Sequence, residues 1–224
     1  MVFFYYFNPS PLVGEGKGEG YMEQHEIERK SFEIIDSLLG KHNFTEKELA
    51  IVKRVIHTTG DIDFGRELII HPEAIDKGIS AIKSGNNIVT DVNMVKTGVR
   101  EKTLNSFGGR LYCFVNDNEV IKKSADKKKT RSALGMQKAM PELNNGIVAI
   151  GNAPTALFEI IRLIRDEGLR PALIVGVPVG FIDAAESKEE LLKVDVPYIT
   201  NKGRKGGSPV AVAIINALII LAKE

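Results

Sequence analysis

Between residues 27 and 39 the apolar side chains Ile27, Ile34, Ile35, Leu38 and Leu39 recur at helical spacing, and Gly40 follows where a C-terminal cap belongs. Thr45-Glu46-Lys47-Glu48 reads as a capping box, in which Thr45 and Glu48 each satisfy an orphaned backbone N–H, and Leu49, Val52, Val55 and Ile56 form the buried stripe of the helix it opens. Pro72 to Lys83 predicts another helix. Asn87 to Thr90 predicts a short strand, Asp91 to Val95 the turn after it, and Thr97-Gly98-Val99 leads into a short helix or turn over Arg100 to Leu104. Leu111 to Val115 predicts a strand and Lys129 to Leu143 a helix that stops at Asn144-Asn145-Gly146.

Two later stretches each run strand, Gly/Pro turn, helix. In the first, Ile147 to Ile150 is an all-apolar strand, broken by Gly151-Asn152-Ala153-Pro154 before a helix that begins about Thr155. In the second, Leu173 to Val175 is the strand, Gly176-Val177-Pro178-Val179-Gly180 the turn, and Ser187-Lys188-Glu189-Glu190 a capping box. A last strand, loop and helix run from Tyr198 to Lys223. Helices alternating with short apolar strands predict a single α/β domain, a three-layer α/β/α fold with a mainly parallel central sheet. Parallel strands place such turns at their carboxyl ends, where helix amino termini offer free N–H groups, so an anionic ligand is expected there.

The chain has 224 residues and a formal net charge of +1, so it is not broadly basic; nucleic acid and membrane surfaces are not expected partners. A local basic run comprises Lys122, Lys123, Lys127, Lys128, Lys129 and Arg131. With one cysteine, Cys113, no intramolecular disulfide can form, and a reducing, cytoplasmic setting is expected. Cys113 reads as a buried strand residue rather than a nucleophile. Residues 1–21 combine an aromatic run with Gly- and Pro-rich polar sequence and lack periodicity. They read as a leader outside the fold, with Met22 opening the amphipathic part and residues 22–224 forming the domain. The run Val2 to Phe7 is too short for a signal peptide or a membrane span, and the apolar run Ala211 to Ala222, interrupted by Asn216, is too short to cross a bilayer.

His57 is followed by Thr58-Thr59-Gly60-Asp61, so it stands where a helix ends, beside carbonyls whose partial negative charge favours a protonated imidazole. It is either a general acid or a helix-capping donor to those carbonyls. His25, His42 and His71 carry no assigned role, and no pair of histidines has metal-ligand spacing, so no metal site is expected. Neither GxGxxG nor GxxxxGK[ST] occurs, which leaves nucleotide binding without a motif. The loop Asn201 to Pro209 carries three basic residues, three glycines and Ser208, suited to a carboxylate or phosphate, or simply solvated. Arg131, between Thr130 and Ser132, suits bidentate carboxylate recognition.

Taken together, seven blocks resemble one family, the precorrin-8X methylmutases: Arg29-x-Ser31-Phe32-x-Ile34-Ile35, Arg54-Val55-Ile56-His57, Asp91-x-x-Met94-Val95-x-x-Gly98-Val99, Thr130-Arg131-Ser132-Ala133, Ala149-Ile150-Gly151-Asn152-Ala153-Pro154-Thr155-Ala156-Leu157-Phe158, Val177-Pro178-Val179-Gly180-Phe181-x-x-Ala184-Ala185-Glu186-Ser187-Lys188 and Gly203-Arg204-x-Gly206-Gly207-Ser208. The resemblance runs from about Arg29 to the end.

That resemblance implies an α/β/α homodimer that moves one methyl group between neighbouring carbons of ring C of a corrinoid, with no external cofactor, in cobalamin biosynthesis. It places the family's acid on His57, protonating the macrocycle so that the methyl shifts sigmatropically. It implies that the acetate and propionate arms meet Arg131, Arg204, Gly206, Gly207, Ser208 and the helix starts after Gly151 and Gly180. Substrate contacts are also carried to Arg54, Asp91, Ser132, Asn152, Thr155 and Ser187. Met94, Val95, Val179 and Phe181 are candidates for an apolar slot under the flat ring, or core. Ser31 is a candidate contact near the reacting ring, or a serine bonded to its own helix. A non-catalytic corrinoid carrier is the alternative activity, a nucleotide-dependent α/β enzyme a more distant one, and the lysine-rich composition leans to the cobalt-bearing substrate.

Overall fold

The computed structural model describes residues 24–127 and 129–224, and the leader expected over residues 1–21 lies outside them. In chain order the elements are α1 (Gln24–Leu39), α2 (Glu46–Thr59), α3 (Ile62–Arg66), β1 (Leu68–Ile70), α4 (Ala74–Lys83), β2 (Ile88–Thr90), α5 (Asn93–Gly98), α6 (Glu101–Ser106), β3 (Leu111–Tyr112), α7 (Asn118–Lys127), α8 (Arg131–Lys138), α9 (Met140–Leu143), β4 (Ile147–Ile150), α10 (Pro154–Glu167), β5 (Leu173–Gly176), α11 (Ala184–Leu191), β6 (Tyr198–Asn201) and α12 (Ser208–Leu221).

The strands form one sheet in the order β1-β6-β5-β4-β2-β3. Every pairing is parallel except β1 with β6. Alternation along the central strands creates two cores. Ile147 and Ala149 of β4 and Leu173 and Val175 of β5 face one core, with α2, α4 and α12; Val148, Ile150 and Ile174 face the other, with α8, α10 and α11. Helices therefore cover both faces, giving the expected three-layer α/β/α architecture. α12 is apolar on nearly every side because it lies between α2, α4, α5 and the sheet.

Several local expectations need correction. The turn after β2 continues into α5, a helix of 6 residues that is too short to show periodicity. Leu111 and Tyr112 alone pair in β3, so Cys113 stands past the strand end and is only half-buried. The helix expected over 129–143 divides into α8 and α9, with Pro141 at the start of the second, because proline has no N–H to give the preceding turn. The basic run before it lies partly on α7, where Lys123 pairs with Glu119, while Lys129 pairs with Glu159. Lys128 is outside the described residues. α3 and β1 were not anticipated.

The capping box at Ser187 does not form. α11 begins at Ala184 after Asp183, whose φ of 62° places it in the left-handed region, so Ser187 is interior and its hydroxyl donates to the Ala184 carbonyl at 3.1 Å. Glu190 pairs instead with Arg165 and Lys193. The Thr45 box does form: the Thr45 N–H donates to Glu48 at 2.8 Å and the Glu48 N–H to the Thr45 hydroxyl at 3.3 Å.

Candidate active site

The last turn of α2 is closed without help from His57. The Gly60 N–H donates to the Ile56 carbonyl at 2.7 Å, with Gly60 in the left-handed conformation that ends a helix, and the Thr59 hydroxyl donates to the Val55 carbonyl at 2.8 Å. His57 is thus not the capping donor. Its exposed imidazole packs edge-on against Phe32 of α1 at 5.6 Å between centroids and has no hydrogen-bond partner among the described residues.

His57 faces a cleft of about 250 Å³ where α2, α5 and α12 converge. Arg54, Thr58, Met94, Gly98, Arg100, Ser208, Pro209, Val212, Ala213 and Asn216 complete its lining. Gly98 is needed for the approach of α5 to α12, since a Cβ there would stand 2.7 Å from Val212. The Arg54 guanidinium donates to Glu28 at 3.1 Å and lies over the Phe32 ring. The lining holds two arginines and a histidine and no carboxylate, so it suits an anionic ligand.

The order in which strands are added reverses between the parallel neighbours β2 and β4, and the carboxyl ends of such a pair are where an open α/β sheet ordinarily takes its ligand. Here the protein fills that place itself. Asp91, 1% exposed at the end of β2, accepts from the N–H groups of Gly151 (3.2 Å), Asn152 (2.8 Å) and Ala153 (2.7 Å). Burial pushes its carboxyl up from the usual range, and the three N–H groups oppose that shift. The expectations that Asp91 contacts the substrate and that the acid arms meet the helix start after Gly151 are corrected accordingly: the N–H groups of that turn already hold the carboxyl group of Asp91, which is internal. The same closure removes the anion site that a nucleotide-binding reading would need.

Further along the edge, the turns after β5 and β6 are knitted together. The Gly207 N–H donates to the Val177 carbonyl at 2.9 Å and the Gly180 N–H to the Arg204 carbonyl at 3.2 Å. Gly206, with φ 154°, leaves no room for a side chain, because a Cβ would lie 2.2 Å from the Val177 oxygen. The Arg204 guanidinium lies 5.7 Å from the centre of the Phe181 ring, and Phe181 and its neighbour Ile182 are exposed with Val179. Behind the loop, the buried Lys188 ammonium donates to the Lys205 carbonyl at 2.7 Å and to Asn201 at 3.3 Å, while Lys205 pairs with Asp61 beyond the end of α2.

Of the residues singled out from the sequence, His57, Arg54, Met94 and Ser208 come together in the cleft. Val95 is fully buried in the first core and Ser187 is fully buried in α11, so both are corrected from contacts to packing. Ser31 donates to the Ile27 carbonyl of its own helix at 2.8 Å. Arg131, Ser132 and Thr155 belong to α8 and α10 in the other helical layer, where the Thr155 hydroxyl is 2.7 Å from that of Thr130; Arg131 is exposed and Ser132 buried. Sequence reasoning missed Arg100, Gly98 and Asn216 as parts of the cleft; the polar Asn216 inside an apolar run was the available signal. Among the described residues no three His, Cys, Asp or Glu side chains cluster as metal ligands.

The precorrin-8X methylmutase family profile matches residues 26–221. A cobalt-precorrin-8 methylmutase of Priestia megaterium is 49% identical over 90% of this chain and 89% of the relative. One of Leptospira interrogans is 50% identical, covering 88% of this chain and 94% of the relative. A crystal structure of the precorrin-8X methyl mutase of Thermus thermophilus superposes with a TM-score of 0.82 at 36% identity, over 88% of this chain and 96% of that one.

Proposed function

The chain belongs to the precorrin-8X methylmutase family, and we propose that His57 is the acid of its reaction, delivering a proton to ring C of the corrinoid from the end of α2. The activity is an isomerisation in cobalamin biosynthesis, in which a methyl group leaves one carbon of ring C and bonds to its neighbour. Substrate and product have the same atoms, so the proton that starts the rearrangement must come back. An imidazole can donate it while the ring is electron-rich and recover it after the methyl–carbon bond has broken on one side and formed on the other. No electrons are gained or lost overall, and the step needs no external cofactor.

The observation that carries this reading is an exposed imidazole, with no hydrogen-bond partner among the described residues, at the wall of a cationic cleft. Phe32 would limit its rotation, and Met94 and Val212 would give the macrocycle an apolar contact. A non-catalytic carrier of the same pigment is not favoured, since it has no use for a proton donor at that position. The test is His57→Ala. The variant should fold and bind the corrinoid, as seen by a shift in its visible spectrum, yet lose turnover. Near wild-type isomerisation by the purified variant would remove the acid role.

A cleft of about 250 Å³ is smaller than pockets that enclose ordinary drug-sized ligands, roughly 300–1,000 Å³, and a corrinoid is larger still. A second copy would complete it. Ile27, Ile34 and Leu38 form an exposed apolar stripe along α1, and Val179, Phe181 and Ile182 a second exposed group. A homodimer covering these surfaces would also let the exposed Arg131 of one copy serve a substrate bound at His57 of the other. No helix of the described residues is long and apolar enough to cross a membrane, and the single cysteine suits a reducing cytoplasm. The names of the Priestia and Leptospira relatives support a cobalt-bearing substrate. Parallel assays with cobalt-bearing and metal-free substrate test this.

A further inference from the structure

Positive charge in the cleft is unevenly committed. Arg54 donates to Glu28, but Arg100, at the rim, forms no ion pair with any described carboxylate. Its backbone is nevertheless pinned. Asn216 of α12 accepts the Arg100 N–H with Oδ1 at 2.9 Å and donates Nδ2 to the Gly98 carbonyl at 2.9 Å. Both ends of the amide are used, which fixes its orientation, and the peptides on either side of Val99 are tied to α12.

An isolated polar side chain inside an apolar helix costs stability unless its hydrogen bonds are made. Asn216 makes them to the short connection between α5 and α6, whose ends include Arg100. The close approach of Gly98 to Val212, one turn before Asn216 on α12, holds the same connection against the same helix. Together these contacts fix the Cα of Arg100 and leave its guanidinium exposed at the cleft.

We propose that Arg100 binds one carboxylate arm of the substrate at the rim of the His57 cleft, and that Asn216 is the positioning residue that fixes where Arg100 stands. The assignment rests on the corrinoid reading above, because it is the acid-bearing fringe of that substrate that supplies the anion. A guanidinium meets a carboxylate through two parallel N–H bonds, so a fixed Cα converts directly into a fixed register for the ring over His57. Arg100 acts on binding and orientation; it takes no part in the proton transfer.

The experiment combines Arg100→Gln, Asn216→Ser and the double variant in the full-length protein, with corrinoid affinity read by absorbance titration and turnover read separately. Arg100→Gln should weaken binding roughly tenfold, flatten its salt dependence and lower kcat as the ring loses its register over His57, with the thermal midpoint close to wild type. Arg100→Lys should recover part of the affinity, and a substrate with esterified arms should bind wild type and Arg100→Gln equally. Asn216→Ser should weaken binding through Arg100, so the double variant should bind no more weakly than Arg100→Gln alone. Unchanged affinity and salt slope in Arg100→Gln would overturn the assignment of the arginine. Additive losses in the double variant would overturn the positioning role of Asn216. Neither result depends on His57→Ala, whose test is loss of turnover with binding kept.

Discussion

The carboxylate of Asp91, at the end of β2, accepts the Ala153 N–H at 2.7 Å beyond the end of the neighbouring β4, and it accepts from Gly151 and Asn152 as well. One side chain thereby sets the start of α10. It also sets the wall beneath α12, because the Gly151 Cα packs so near Ser208 that an added Cβ would lie 2.7 Å from the Ser208 Cα. Asp91→Asn keeps the shape but turns an NH2 group toward backbone donors. It should cost about 2–4 kcal/mol in urea unfolding, the loss expected when charge-assisted bonds to a buried acceptor are broken. A variant within about 0.5 kcal/mol of wild type would show that the turn holds itself.

Lys188 is 2% exposed, and burial lowers its pKa to about 8, opposed in part by Glu67. In the unfolded chain it titrates near 10.5. Below the folded value both states hold the proton, so the cost of burying the ammonium is fully present. Between the two values the unfolded chain binds the proton that the folded protein has released, and stability therefore rises with pH through that window. Lys188→Met lacks this contribution. The stability of wild type relative to Lys188→Met should rise by about 2 kcal/mol from pH 7 to about pH 9.5, measured by denaturant titration at each pH. A flat difference would mean that the ammonium is effectively solvated.

Exposed apolar side chains on α1 and in the turn after β5 predict how assembly can be broken. Ile34 and Ile182 are 60% and 81% exposed, so lysine at both positions should leave the isolated fold intact. Ile34→Lys/Ile182→Lys should run as a monomer in light scattering and lose turnover, with an unchanged circular dichroism spectrum and a thermal midpoint that no longer depends on protein concentration. A dimer of unaltered activity would exclude these surfaces from the contact.

Shared sites make a further prediction. If Arg131 of one copy serves the His57 cleft of the other, then His57→Ala and Arg131→Ala, each inactive alone, should regain a fraction of the activity when unfolded and refolded together. No recovery in confirmed mixed dimers would confine each site to one chain.

The parts legible from sequence are those whose signal is local. The Thr45–Glu48 box, the cap at Gly60 and the apolar run of β4 each state their structure within a few residues, and so His57 was found at a helix end. α5 and β1 were not legible, because 6 and 3 residues are too few for a period to emerge. Ser187 through Glu190 has the spacing of a capping box, but the left-handed turn at Asp183 starts the helix earlier. Asp91 is a substrate contact only by what the family resemblance implies, and nothing near it in the sequence shows that its partners lie 60 residues away. Lys188 and Asn216 fall in the same class. Their hydrogen bonds cross between elements, and sequence spacing carries no information about that pairing.

Both borders of the sheet are short: β3 pairs over two residues and the antiparallel β1 over three. A longer bare strand would offer a row of unpaired backbone groups on which another molecule could zip, the usual first step toward fibrils. With its margins cut this close, the fold leaves helices and loops, not strand edges, as the surfaces open to other molecules.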